Sequence, residues 1–236
     1  MKKDLIAAEK ASSGTTLRLL LDSADETQWQ TWLPMGLFYG VTTNPILLER
    51  ANVPCSVERL ATLARQGLEL GAGEVHLQTW GTGLEALVKT GKDLAAIDDG
   101  VVVKVPVTKV GCAAAAQLIA AGIRVTLTGV YACHQVLIAA AVGADYVAPY
   151  LGRITDAGGE GREAVAAMQR AMRGIGSPTR VLVASLRSVD DIGLLAAQGL
   201  DTFTLSPAIA AQLFDVPLTN AAAISFNRAA RRMGAS

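Results

Sequence analysis

From Leu17 onward, short runs of β-branched and aliphatic residues alternate with Ala-, Leu- and Gln-rich stretches, and nothing else in the chain restricts its fold as tightly. The runs fall at 17–21, 40–43, 74–79, 101–105, 124–129, 145–150, 180–185 and 202–205. Helical patterns lie between them at 56–70, 111–121, 131–142 and 160–173, and glycines at Gly71, Gly122, Gly143, Gly174 and Gly199 mark helix ends. Strict alternation of this kind predicts a parallel sheet, because parallel neighbours need a helical crossover.

Eight such units fit either an open doubly wound sheet or a closed barrel. A dinucleotide-binding sheet carries G-x-G-x-x-G after a strand. Gly81-Thr82-Gly83 and Gly158-Gly159-Glu160-Gly161 lack that spacing. Eight near-equal repeats favour a single α/β domain, a (β/α)₈ TIM barrel, and a chain of 236 residues suits one. The expected division is an N-terminal extension at 1–16, with a short helix over 4–11, and a barrel at 17–214. A C-terminal helical tail at 215–236, outside the eight units, is expected to make an oligomer contact.

Composition removes several classes of function. Basic and acidic residues balance at 21 each, so no surplus charge points to nucleic acid or an anionic membrane. No stretch offers eighteen uninterrupted apolar residues. Cys55, Cys112 and Cys133 match no zinc or C-x-x-C spacing, and His76 and His134 are not spaced as a ligand pair. Reduced thiols in a cytoplasm, no metal and no cofactor are the expectation. His76 reads as a satisfied core histidine.

In a barrel, chemistry gathers at the C-terminal ends of the strands. The run Val101-Val102-Val103-Lys104-Val105-Pro106-Val107-Thr108 sets a lysine among valines. One reading is structural: the stem snorkels, or the ammonium neutralises a buried carboxylate. The other is a desolvated amine whose pKa falls far enough to attack a carbonyl. Other polar residues close strands: Asp22, then Thr42, Thr43 and Asn44, then Gln78, Thr128 and Tyr150, with Arg153, Ser185 and Arg187 nearby. Each alone has an ordinary role as cap, turn residue or β-former.

At these residues the chain resembles the transaldolase and fructose-6-phosphate aldolase family. Gly40-Val41-Thr42-Thr43-Asn44-Pro45 looks like its second-strand signature, and Val103-Lys104-Val105-Pro106-Val107-Thr108 like its Schiff-base lysine strand. Ala148-Pro149-Tyr150-Leu151-Gly152-Arg153-Ile154 and Ala184-Ser185-Leu186-Arg187 complete the set. The resemblance implies an imine on Lys104, proton transfer at Asp22 and Tyr150, and water positioned by Gln78 and Thr128. It implies substrate binding by Thr42, Asn44 and Ala148, and phosphate binding by Arg153, Ser185 and Arg187. The implied substrates are sugar phosphates, from which a dihydroxyacetone unit is cleaved or transferred.

Two features pull in different directions. Gln78 with Tyr150 is the pair seen in fructose-6-phosphate aldolase, where transaldolases usually carry glutamate and phenylalanine. Gly152, however, looks like the transaldolase arginine loop. The balance leans to aldolase chemistry, with a pentose phosphate transaldolase using erythrose 4-phosphate as the alternative. A non-catalytic barrel holding a sugar phosphate is the remote one. A class I aldolase for deoxyribose phosphate or a keto acid fits the motifs less well.

Overall fold

In the 101–106 run every second valine must face one side of a strand, so a buried sheet can be apolar on its outside and still carry a lysine inside. The computed structural model, which describes residues 16–235, has this arrangement. Eight parallel strands form a closed barrel in sequence order: β1 (Arg18–Asp22), β2 (Gly40–Thr42), β3 (Glu74–Gln78), β4 (Val101–Pro106), β5 (Val125–Val130), β6 (Tyr146–Pro149), β7 (Arg180–Val183) and β8 (Thr202–Leu205). Val101, Val103 and Val105 belong to the apolar layer between strands and helices. Val102 belongs to a separate inner cluster with Leu20, Tyr146, Ala148 and Leu182.

The helices follow their strands as the parallel connection requires. After β1 comes α1 (Glu26–Trp32), capped by Asp25. Two helices follow β2: α2 (Pro45–Arg50) and α3 (Val57–Glu69). Next are α4 (Leu84–Ala95), α5 (Lys109–Ala120) and α6 (Cys133–Val142). Strand β6 is also followed by two, α7 (Leu151–Asp156) and α8 (Gly161–Gly174). The last are α9 (Asp190–Ala196), α10 (Pro207–Gln212) and α11 (Pro217–Arg232).

The expected strands all form, with ends shifted by a residue or two. The expected helix over 4–11 lies outside the described residues. Gly71, Gly122, Gly143 and Gly199 take positive φ at helix ends, but Gly174 does not. It is the last residue of α8, and the left-handed turn falls to Gly176. The C-terminal helix α11 buries no residue, and leaves Leu218 and Phe226 84% and 72% exposed.

The lower interior of the barrel is polar. The Glu74 carboxylate is buried and accepts from His76 Nε2 at 2.9 Å, Tyr146 OH at 2.6 Å and Arg124 Nη1 at 3.0 Å. Tyr146 lies on β6, three strands from β3, so this contact crosses the lumen. Burial alone would raise the Glu74 carboxyl, but the His76 and Tyr146 hydrogen bonds and the Arg124 charge outweigh it and hold it at about 2. Burial lowers the His76 pKa. The neutral ring therefore donates from Nε2 to Glu74 and accepts at Nδ1 from Thr126 Oγ1, 2.9 Å away. His76 is the satisfied core histidine that the sequence suggested. This filled floor closes the barrel from below and leaves the upper end for chemistry.

Candidate active site

Lys104 is the fourth residue of β4 and shares the inward face with Val102. Its strand neighbours at the same level are Gln78 on β3 and Thr126 on β5. The side chain is 4% exposed, and Nζ donates to the Thr43 carbonyl at 2.7 Å. Burial pushes its pKa below the ordinary lysine value, and the Asp22 carboxylate opposes this in part. No carboxylate makes an ion pair with it among the described residues, so the salt-bridge reading of this lysine has no geometric support.

Asp22 ends β1 and accepts from Thr42 Oγ1 at 2.6 Å. The same hydroxyl lies 2.6 Å from Thr204 Oγ1, and since Thr42 gives its proton to Asp22, Thr204 is the donor there. Thr42 is fully buried, and its hydroxyl anchors Asp22. Thr204, which the sequence reading did not single out, anchors Thr42. Asn44 caps α2: its Oδ1 accepts from Ile46 N at 3.0 Å and Leu47 N at 3.1 Å. Its carbonyl is committed to the helix, and its amide N–H groups remain for another acceptor.

On the opposite wall, Thr128 Oγ1 and Tyr150 OH are 2.9 Å apart. Burial raises the Tyr150 pKa, with the Thr128 hydrogen bond pulling the other way, so the phenol keeps its proton near neutral pH. Ala148 pairs with Thr128 in the β5–β6 register and belongs to the buried inner cluster against which Tyr150 packs. The Asp22 charge raises the pKa of Lys104, Tyr150 and Arg153 alike, so all three lie within its electrostatic reach.

Two arginines stand at the rim. Arg153, exposed on α7, lies over the Tyr150 ring with 4.9 Å from Cζ to the centroid, and its Nη1 donates to Tyr131 OH at 3.3 Å. Arg187 follows β7, pairs with Asp156, and is half exposed. Gly152 brings the two arginine segments together: its N–H donates to Ser185 O at 2.8 Å. A Cβ at 152 would collide with that oxygen and stand 2.8 Å from Arg187 Cζ. Ser185 itself holds φ at +60°, a strained value for a residue with a side chain.

Sequence reasoning missed Tyr131. It read this residue as the start of a helix, outside the strand pattern. The signal was Gly129 after Thr126-Leu127-Thr128, a glycine interrupting a strand.

Two surface concavities of about 550 and 520 Å³ lie elsewhere, one beside α4 and α5 near Lys89 and Gln117, the other by α9 near Arg162 and Leu194. Neither is lined by a strand-end residue, so the site is assigned from its chemistry and not from these concavities. Among the described residues, no group of three or more His, Cys, Asp or Glu side chains is placed to hold a metal. No helix among them is long and apolar enough to cross a membrane.

Known proteins resemble this chain both in fold and in sequence. The fold is similar to that of thiamine phosphate pyrophosphorylase from Pyrococcus furiosus, with a TM-score of 0.56 over 80% of this chain and 85% of that one. At 16% identity that likeness concerns architecture alone. In sequence the chain is 35% identical over 204 residues to a probable transaldolase of Caulobacter sp. (strain K31), covering 86% of this chain and 92% of that protein. It is 34% identical over 208 residues to a probable transaldolase of Thermus thermophilus, covering 86% and 93%. The family model described as transaldolase/fructose-6-phosphate aldolase matches residues 19–235. The buried strand lysine Lys104 thus sits in an enzyme that belongs to the transaldolase/fructose-6-phosphate aldolase family.

Proposed function

We propose that this enzyme forms a Schiff base between Lys104 and a ketose phosphate, and that it releases glyceraldehyde 3-phosphate from fructose 6-phosphate in the manner of an aldolase. The observation that carries the proposal is the buried amine of Lys104, held by the Thr43 carbonyl with its pKa lowered by burial. A deprotonated amine adds to the C2 carbonyl, and loss of water gives an iminium. Asp22 takes the proton from the C4 hydroxyl. The C3–C4 electron pair then passes into the iminium, C4 leaves as an aldehyde, and an enamine remains on Lys104.

Protonation of the enamine at C3, followed by hydrolysis, returns the free lysine and dihydroxyacetone. Tyr150 keeps its proton and is set by Thr128, so it suits this delivery. Gln78, beside Lys104 across the β3–β4 register, suits the water of imine formation and hydrolysis. Thr42 holds Asp22 in place, and the free amide of Asn44 faces the hydroxyls of the three-carbon unit. Arg153, Ser185 and Arg187 take the phosphate, where planar guanidinium groups match a phosphate dianion.

Transaldolase activity is the second reading, favoured by the names of the relatives above. Gly152 adds little to it, because packing against Ser185 and Arg187 already accounts for a glycine there. Product analysis with fructose 6-phosphate separates the two. Release of glyceraldehyde 3-phosphate without an acceptor supports the aldolase, and release that waits for erythrose 4-phosphate supports the transferase. The unburied face of α11 supports a homo-oligomer in which this helix packs on a neighbouring subunit.

A further inference from the structure

The strand β5 carries an irregularity that changes which residues reach the opening. Its pairing with β6 runs Thr126–Tyr146, Leu127–Val147 and Thr128–Ala148, then skips Gly129 to join Val130 with Pro149. Gly129 sits at φ +74°, the conformation of a bulge residue, with no atom within 4 Å of where a Cβ would be. Glycine is there for its backbone angle, not for space. In an unbroken strand Val130 would face inward with Thr126 and Thr128, and Tyr131 would face the helices. The extra residue reverses this: Val130 is fully buried in the outer layer. Tyr131 then takes the parity of Thr128 and arrives at the barrel opening.

There Tyr131 closes a triangle. Its hydroxyl accepts from Arg153 Nη1 at 3.3 Å, and that contact is the main reason the Arg153 pKa is raised. Its ring meets Tyr150 edge-on, with centroids 5.6 Å apart at 73°. Arg153 lies over the Tyr150 face. Its backbone is fixed as well, since Gln135 Oε1 accepts from the N–H of Tyr131 and of Ala132 at 2.8 and 3.0 Å. Yet Tyr131 remains 45% exposed and is not sealed into the core. Arg153 is otherwise an exposed side chain, and Tyr131 is its only side-chain hydrogen-bond partner among the described residues.

We propose that Tyr131 is a specificity-determining positioning residue, delivered to the opening by the Gly129 bulge, which holds Arg153 ready for the phosphate of the aldehyde. It acts through Arg153 and takes no part in bond making. The inference rests on the reading of Arg153 as a phosphate ligand. An arginine already held in place loses less freedom on binding, so its removal from that position weakens binding without slowing the chemical step.

The test is aldol addition of dihydroxyacetone to glyceraldehyde 3-phosphate and to glyceraldehyde, in the native enzyme, Tyr131→Phe, Arg153→Ala and the double variant. Tyr131→Phe keeps the ring against Tyr150 and loses only the hydroxyl. It should raise KM for glyceraldehyde 3-phosphate about three- to tenfold, the effect of one lost hydrogen bond, with kcat unchanged. Glyceraldehyde should be used as before, and in the Arg153→Ala background Tyr131→Phe should have no further effect. Equal losses for both aldehydes, a fall in kcat alone, or full additivity in the double variant would overturn the inference. So would a phosphate-selective loss in Arg153→Ala with none in Tyr131→Phe, and that result leaves the Schiff-base function standing. No phosphate-selective loss in Arg153→Ala removes the assignment of Arg153 and the inference with it.

Discussion

Replacing Tyr150 by phenylalanine deletes one oxygen and separates structure from chemistry at the end of β6. The deleted oxygen lies 2.9 Å from Thr128 Oγ1, and Thr128 is 2% exposed. Losing that partner strands a buried hydroxyl and should cost about 1–3 kcal/mol of stability. For a chain of this size each kcal/mol lowers Tm by roughly 2–4 °C. Thr128→Val breaks the same hydrogen bond from the other side and keeps the phenol, so its stability loss should be similar. The rates should diverge. A hydroxyl engaged in proton transfer contributes typically 10²–10⁴-fold, so Tyr150→Phe should lower acceptor-free release of glyceraldehyde 3-phosphate by about that factor. Thr128→Val should lower it far less. Transfer to erythrose 4-phosphate needs no protonation of the enamine, so Tyr150→Phe should shift the balance toward transfer. The assay is coupled detection of glyceraldehyde 3-phosphate from fructose 6-phosphate with and without acceptor. If the native enzyme releases product only with acceptor, and Tyr150→Phe changes nothing, the chemistry is that of a transaldolase and Tyr150 is structural.

Three further outcomes follow from the same geometry. The lowered Lys104 pKa means the folded state holds fewer protons than the unfolded one up to the ordinary lysine value, so its penalty fades as pH rises through that window. Lys104→Met should therefore be inactive but more stable near neutral pH, by on the order of 1–3 kcal/mol, with the gain shrinking in alkaline melts; a constant gain across pH would contradict this. Glu74 runs the other way: its carboxyl is held below the ordinary value, so it stabilises the fold above that value and the contribution is lost as pH falls through the folded value. Glu74→Gln should be less stable at neutral pH and show a flatter acid unfolding curve, and an unchanged curve would place the acid sensitivity elsewhere. Deleting 215–236 should convert an oligomer into smaller species by light scattering, whereas a native monomer unaffected by the deletion would show that α11 needs no neighbour.

Much of this was legible in the sequence because the period of a strand is so regular. The alternation of strand and helix runs pointed to a parallel sheet, and Lys104 stood out as a lysine set inside a run of valines. Asp22, Gln78 and Thr128 were singled out as polar residues closing strand runs. Where the chain breaks the rule, sequence reasoning lost the thread. Gly129 adds one residue to β5, but the strand was taken to end there, so Tyr131 was read as the start of a helix. Thr204 was passed over because a threonine in a strand is ordinary, and only the approach of Thr42 to both Asp22 and Thr204 gives it a task. The polar floor of Glu74, His76 and Tyr146 joins β3 to β6 across the lumen, a contact that no local pattern records.

The central claim is that Lys104 is the group that captures the substrate. Incubation with fructose 6-phosphate or dihydroxyacetone in the presence of borohydride, followed by peptide mass analysis, tests it most directly. Reduction fixes the imine as a stable secondary amine, so the account predicts a three-carbon adduct on the peptide that contains Lys104, and none in Lys104→Arg, whose guanidinium stays charged and cannot attack. An adduct on another lysine, or turnover retained by Lys104→Arg, would contradict it.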